Sequence, residues 1–531
     1  MAQPKVIVIG LDGSSWELVN QLRAEQQLPA LEKMINQGMS STMYSTHPAH
    51  SAPAWTSFVT GVPPTEHGCL DFLVVHNDIT DLDIIDSTKI KQETIYEAMV
   101  RHGRRPILIN LPNTFPPKLK DAITITSLMT RGEKFIFPAS LKQRYPELQH
   151  YRLSPNAKLR SKDQFDAYVQ DLCQLERDRI AAAKQLLLHE PWDFFFYLCS
   201  GTDWVSHVVY DQAVQHHYQP ALEMWRLMDE FIGWVMQQLD DDTIIYVISD
   251  HGFKVYDSIF YVNRWLEEHG YLATTAGTSS FQQTHTKLSR EVAKVQQRQF
   301  QFNVGKRLRN VLRHSPRLEQ GAKWSYHHII KRFVPVNVKI NLQLDLTKTQ
   351  VGFPRGSMAS LLYVNDQVRF RHGIVPANQR ASLTQQLQQQ LQAITDPGGQ
   401  PAIAQVYTTE QLYGNRAMAI APDLFLQPNQ HYLSGSLHSA ALFENTSKNY
   451  HDDQGMFLAY GKAIAHQPMS DSSIMQMAPT IMHSLGLPLL PQFSATVMDI
   501  FASTSSLHQP AQYEGSSEQA DLRTIINTIE L

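Results

Sequence analysis

Cysteine is scarce in this chain: Cys69, Cys173 and Cys199 are the only ones in 531 residues. So sparse and odd a set excludes a disulfide scaffold and fits a reducing compartment. None of the three has metal-ligand spacing. Long apolar runs are missing too, since nothing approaches the roughly 18 residues that a membrane-crossing helix needs. Between Met1 and Lys5 there is no room for a secretory leader, so a cytoplasmic protein without a membrane partner is expected. Neither charge sign dominates, with 46 Lys and Arg against 50 Asp and Glu. Nothing global therefore favours a nucleic-acid polymer or an anionic membrane as partner.

What the chain does have is a repeated pattern. Val6-Ile7-Val8-Ile9, Phe194-Phe195-Phe196-Tyr197 and Ile244-Ile245-Tyr246-Val247-Ile248 are continuous β-branched or aromatic runs, and each leads into a turn carrying an aspartate: Asp12, Asp203 and Asp250. Such runs suit strands buried on both faces, and ligands of open α/β sheets bind outside the carboxyl ends of their strands. Histidines accompany the carboxylates. His251 follows Asp250 directly, and His207 lies four residues after Asp203, on the same face if that segment is helical. A lone aspartate after a strand is most often a helix cap or turn former. Three together, with spaced histidines, point instead to a metal site.

Strand and helix patterns alternate from residue 5 to about 272, which implies a mostly parallel sheet sandwiched by helices. Helices are expected through Leu28–Ile35, before Trp192, and across the apolar positions Leu222 to Leu239. From Lys287 to Arg332 the character changes, with twelve lysines and arginines against Glu291 and Glu319 alone. We expect a catalytic core from residues 1–276 and 436–502, a basic helical insertion at 277–335 acting as a cap, a small α+β lobe at 336–435, and a polar tail at 503–531. Within the lobe, Leu361–Val364 reads as a strand, Leu383–Ile394 as a helix and Asp396-Pro397-Gly398-Gly399 as a turn. Met456–Tyr460 returns to the main sheet, and a helix over Ser473–Leu485 stops at Gly486-Leu487-Pro488.

One further segment completes the set: His50-Ser51-Ala52-Pro53-Ala54-Trp55-Thr56-Ser57-Phe58-Val59-Thr60-Gly61, followed by Pro64, His67 and Gly68. Together with Leu11-Asp12-Gly13, Asp203-x-x-x-His207, Ser249-Asp250-His251-Gly252-Phe253 and His451-x-x-x-Gly455, it resembles the type I phosphodiesterase and nucleotide pyrophosphatase branch of the alkaline phosphatase superfamily. The resemblance covers most of residues 5 to 500. It implies an alkaline-phosphatase-like fold and two divalent metal ions, zinc with Mn²⁺ as the alternative. It also implies that Asp12, Ser51, Asp250 and His251 hold one ion and Asp203, His207 and His451 the other. Ser51 would be the nucleophile, forming a phosphoseryl intermediate that water on the second ion hydrolyses. The substrate expected is an anionic phosphate ester.

One departure stands out. Where that branch places an asparagine shortly after its His-Gly segment, this chain has Asp71-Phe72, which leaves the phosphoryl-oxygen donor open among Asn77, Asn113 and a backbone N–H beside Ser51. A sulfatase is disfavoured because Ser51-Ala52-Pro53-Ala54-Trp55 lacks the arginine of the modifiable sulfatase motif. His67-Gly68 reads as turn structure, His50 and His67 are both left outside the site, and Trp55 reads as core. The alternatives are a phosphomonoesterase or phosphoryl transferase on the same site, or an inactive metal-stabilised binding protein.

Overall fold

The computed structural model describes residues 4–276 except 121, 158–163 and 241, and residues 342–515 except 355–359, 415–417, 438, 440 and 468. The expected basic insertion, 277–335, lies outside the described residues, as does the end of the expected polar tail.

The apolar runs become the centre of a nine-stranded sheet. Val6–Leu11 is flanked on both sides by parallel partners, Phe194–Cys199 and Ile244–Ile248. Pro106–Ile109 and Ile123–Ile125 extend the parallel core. Gln454–Tyr460 pairs antiparallel with Ile244–Ile248, so the sheet is mixed at that edge. Each central strand is apolar at every position because helices cover both faces. Ile7, Ile9, Phe195, Tyr197, Ile245 and Val247 join one core, which includes Trp225 and Phe231 of the Gln219–Gln238 helix. Val6, Val8, Phe194, Phe196, Tyr246 and Ile248 join the other, against Trp55 and Phe58. Trp55 is core, as its surroundings in sequence predict.

Register decides where the site forms. Leu11 pairs with Cys199, and Gly10 pairs with Ile248, so the three strands end side by side and release their turns at one edge. A short antiparallel ladder then joins Gly252–Tyr256 to Lys448–Asp452 and sets Phe253 opposite His451. That ladder carries residue 451 across the sequence to the first three turns.

The smaller sheet runs in the order Val351–Gly352, Leu361–Val364, Leu424–Gln427, Gln405–Thr408, and has its own apolar core. Its helix spans Ala377–Gln392, starting six residues before the apolar pattern suggested, because Pro376 sets the N-cap and the first turn is polar. The Asp396–Gly399 turn is present, closed by Gly399 N–H donating to Asp396 O at 2.9 Å. Between Ser473 and Leu485 the chain forms a short 3₁₀ turn and then a helix, Met477–Ser484. Residues 503–515 are pinned to the core, where Leu489 N–H donates to Gln512 O at 2.7 Å, Leu489 O accepts from Glu514 N–H at 2.9 Å, and the Glu514 side chain pairs with Arg101 and His102. Among the described residues no helix is long and apolar enough to cross a membrane.

Phe196 is fully buried, with its ring 5.5 Å from Trp55 and 5.4 Å from Phe58. Phe196→Ala should therefore cost about 3–5 kcal/mol of stability, seen as a lower urea midpoint at unchanged slope.

Candidate active site

Each strand end delivers its carboxylate in a distinct way. Asp12 leaves Val6–Leu11 just before Gly13, whose φ of +64° is left-handed. A Cβ on Gly13 would also stand 3.2 Å from Asp203 Oδ1, so the glycine serves both the turn and the close approach of the two carboxylates. Asp203 is the third residue of the Gly201–His216 helix, and His207 follows one turn later. Thr202 Oγ1 donates to Asp12 O at 2.6 Å and so ties the two turns together. Asp250 is wholly buried, with Oδ1 accepting from Gly13 N–H at 3.3 Å.

Ser51 opens the Ser51–Thr60 helix, with His50 as the extended residue before it. Its hydroxyl donates to Asp12 Oδ1 at 3.1 Å and lies 3.3 Å from His251 Nε2. His251 Nε2 is 3.4 Å from Asp250 Oδ2 and 3.6 Å from Asp12 Oδ1. A second group closes beside it. His207 Nε2 and His451 Nε2 are 3.0 Å apart, and lie 3.3 and 3.2 Å from Asp203 Oδ1. The rings of His251 and His451 stack at 3.8 Å and connect the two groups. All seven side chains predicted from sequence thus meet in one cluster.

Whether a metal suits these donors can be judged from the donors themselves. His451 Nδ1 donates to Ala49 O at 3.1 Å and His251 Nδ1 donates to Gly252 O at 3.0 Å, because a carbonyl can only accept. Both rings therefore turn Nε2 lone pairs inward. Asp203 Oδ1 and Asp250 Oδ2 are buried and have no hydrogen-bond partner. Buried lone pairs without donors need a cation. Donors about 2.0–2.1 Å from a tetrahedral ion stand roughly 3.3–3.4 Å from one another. The 3.0–3.3 Å triangle of Asp203, His207 and His451 is close to that spacing. Asp12, Asp250 and His251 form another group able to hold an ion, and His251 also reaches the group of Asp203 and His451.

Without an ion the charges arrange themselves unevenly. Burial, with the charge of Asp203 adding to it, lifts Asp250 to about 8. Asp12 is raised well above the usual range by burial and by its neighbours Asp250 and Asp203. Burial acts against ionisation of Asp203 as well, yet the His207 imidazole beside it holds its carboxyl well below that range. Burial and the nearby His251 push His451 far down, which keeps its Nε2 lone pair free.

Residues outside the expected set also bear on the site. His50 is not a bystander, since its ring lies 5.4 Å from His451 and 5.3 Å from Phe72, and burial with His251 lowers it to about 3. A histidine directly before the serine was the available signal. His67 holds the turn together from inside, accepting from Cys69 N–H at 3.1 Å and donating to Ser57 Oγ at 2.9 Å. Of the candidate phosphoryl-oxygen donors, Asn77 spends its amide on Asp81 and His76. Asn113 donates to Ala52 O and Thr56 Oγ1 on the helix that Ser51 begins.

The sign of the pH effect follows from Asp250. Its folded pKa of about 8 exceeds the ordinary 3.8, so the metal-free fold keeps a proton that the unfolded chain releases. The stability of the metal-free protein should fall as pH rises from about 4 to 8. Thermal melts of chelator-treated protein across that window should show the decline, and Asp250→Asn should flatten it.

The type I phosphodiesterase / nucleotide pyrophosphatase model matches residues 6–452. Murine ectonucleotide pyrophosphatase / phosphodiesterase 5, solved as an inactive form in complex with AMP, is similar at 13% identity and a TM-score of 0.51, covering 94% of this chain and 100% of that one. Phosphonoacetate hydrolase from Sinorhizobium meliloti 1021, solved in complex with phosphonoformate, is similar at 16% identity and a TM-score of 0.51, covering 91% of this chain and 95% of that one. At such identities the two structures show a shared α/β fold. With the family match running from the first strand to the last predicted ligand, the chain belongs to the type I phosphodiesterase / nucleotide pyrophosphatase family, a family of metal-dependent phosphoric ester hydrolases.

Proposed function

We propose that the protein hydrolyses phosphodiesters or pyrophosphates with two divalent ions and a covalent phosphoserine at Ser51. The observation that carries this reading is the position of Ser51 Oγ, at the start of a helix and within 3.3 Å of both Asp12 and His251. Asp12, Ser51, Asp250 and His251 would hold one ion, and Asp203, His207 and His451 the other. Mixed imidazole and carboxylate donors favour zinc, with Mn²⁺ as the alternative. Bound there, the ions would polarise a phosphoryl oxygen and activate hydroxyl nucleophiles.

The chain's own groups do the rest. Asp12 Oδ1 accepts the Ser51 proton, which turns an Oγ lone pair toward an incoming phosphorus. The first-turn N–H groups of Ser51 and Ala52 favour an anion at that helix end, Pro53 having none to offer. Oγ bonds to phosphorus as the ester oxygen departs with the electrons of the P–O bond. Water then cleaves the serine ester, restores the Ser51 hydroxyl and releases the second product. His50, directly before the serine, packs edge-on against Phe72 at 5.3 Å. Three buried, unpaired cysteines accord with a cytoplasmic setting.

An anionic phosphate ester is the substrate class we infer, in line with the AMP held by the murine relative. Metal analysis with a panel of bis-p-nitrophenyl phosphate and p-nitrophenyl phosphate tests it, with faster turnover of the diester expected. Ser51→Ala should keep its metal and lose about a thousandfold or more in kcat. Near-normal rates in that variant would replace the covalent route with direct attack by water. Chelation should abolish turnover, and zinc should restore it.

A further inference from the structure

The longest helix among the described residues, Phe165–His189, carries an ion pair that touches none of the predicted ligands. Glu176 and Arg179 are both fully buried, with Nη1 donating to Oε1 at 2.8 Å. Both Glu176 oxygens accept from the segment that delivers Asp203, whereas Arg179 is fixed to the backbone ahead of its own helix. Glu176 Oε1 accepts from Gly201 N–H at 3.2 Å, and Oε2 accepts from Tyr197 OH at 2.8 Å. Arg179 donates to Arg152 O and Leu153 O at 3.0 and 2.9 Å, and its guanidinium lies 5.5 Å from the Trp204 ring.

Gly201 and Trp204 bracket Asp203 in the helix, and Tyr197 belongs to the strand that leads into it. Contact here is too close for a side chain. A Cβ on Gly201 would come within 2.6 Å of Met224 Cε and 2.9 Å of Glu176 Cγ. Stability alone gives little reason to bury such a pair, because well-packed apolar residues of similar volume often serve as well or better. A charge that accepts from the first N–H of a helix, in contrast, fixes where that helix starts.

We propose that Glu176, held in place by Arg179 and Tyr197, is a positioning residue for Asp203, setting that carboxylate at the distance from His207 and His451 that an ion requires. The inference rests on reading those three side chains as a metal-binding group. Groups behind metal ligands typically alter affinity 10–100-fold when changed.

Glu176→Gln and Tyr197→Phe test it, the second removing one hydrogen bond without stranding the arginine. Leu186→Ala, a buried change further along the same helix, is the control for simple destabilisation. Zinc affinity by chelator competition, melting of the metal-free protein, and kcat and KM for bis-p-nitrophenyl phosphate would be measured on all four proteins. Tyr197→Phe and Glu176→Gln should weaken one of the two zinc sites about tenfold or more and lower kcat more than they raise KM. Leu186→Ala should lower the melting temperature and leave zinc affinity unchanged. Zinc affinity in Tyr197→Phe equal to that of the control would overturn the positioning role alone. A wild-type protein that binds no zinc or manganese would overturn the metal reading and this inference with it.

Discussion

Three carboxylates buried at one sheet edge make the constraint that the rest of the site answers to. Asp12, Asp203 and Asp250 are almost wholly excluded from water, and parallel register leaves them no other place to go. Two like charges 4 Å apart repel by about 4 kcal/mol even at an effective dielectric of 20. Without a cation the fold keeps charge on Asp203, where His207 stands by, and favours protons on the other two. The site is therefore short of positive charge in a way that protein groups within it do not supply. Gly13, Thr202 and Trp55, whose indole donates to Asp12 Oδ2 at 3.4 Å, hold the repelling groups together.

That arrangement links the smaller sheet to the chemistry. Tyr413 clasps the backbone of His47, donating to its carbonyl at 2.6 Å and accepting from its N–H at 3.1 Å. His47 begins the segment that ends at Ser51, and Ala49 within it accepts from His451. The segment before Ser51 is thus held at two points, by Tyr413 at the end of the Thr409–Tyr413 helix and by His451 of the short ladder. A cavity of about 410 Å³ adjoins this segment, lined by His47 together with Lys254, Tyr407, Gln427 and Asp453 among others. Ala49 and His451 are both among its lining residues.

Much of the fold was legible because buried parallel strands have an unmistakable composition. Phe194–Cys199 could hardly be anything but a central strand, and its following aspartate had to emerge at the carboxyl edge. The lobe helix was read late because its first turn is polar, and periodicity sees only the apolar face. His50 was left out because no local pattern marks it, whereas its neighbours in space are Phe72 and His451.

By itself the sequence determined the three central strands and the order in which the aspartates and histidines follow them, since these depend on local pattern and on chemistry carried by single residues. Only the tertiary structure decided that His451, two hundred residues beyond His251, stacks on it at 3.8 Å, because strand pairing across a long connection leaves no local trace. The same holds for the Glu176–Arg179 pair, which in sequence looks like ordinary helix-surface charge. Its burial beneath Gly201 depends on how the helix packs against the sheet, and that packing is set by the whole core.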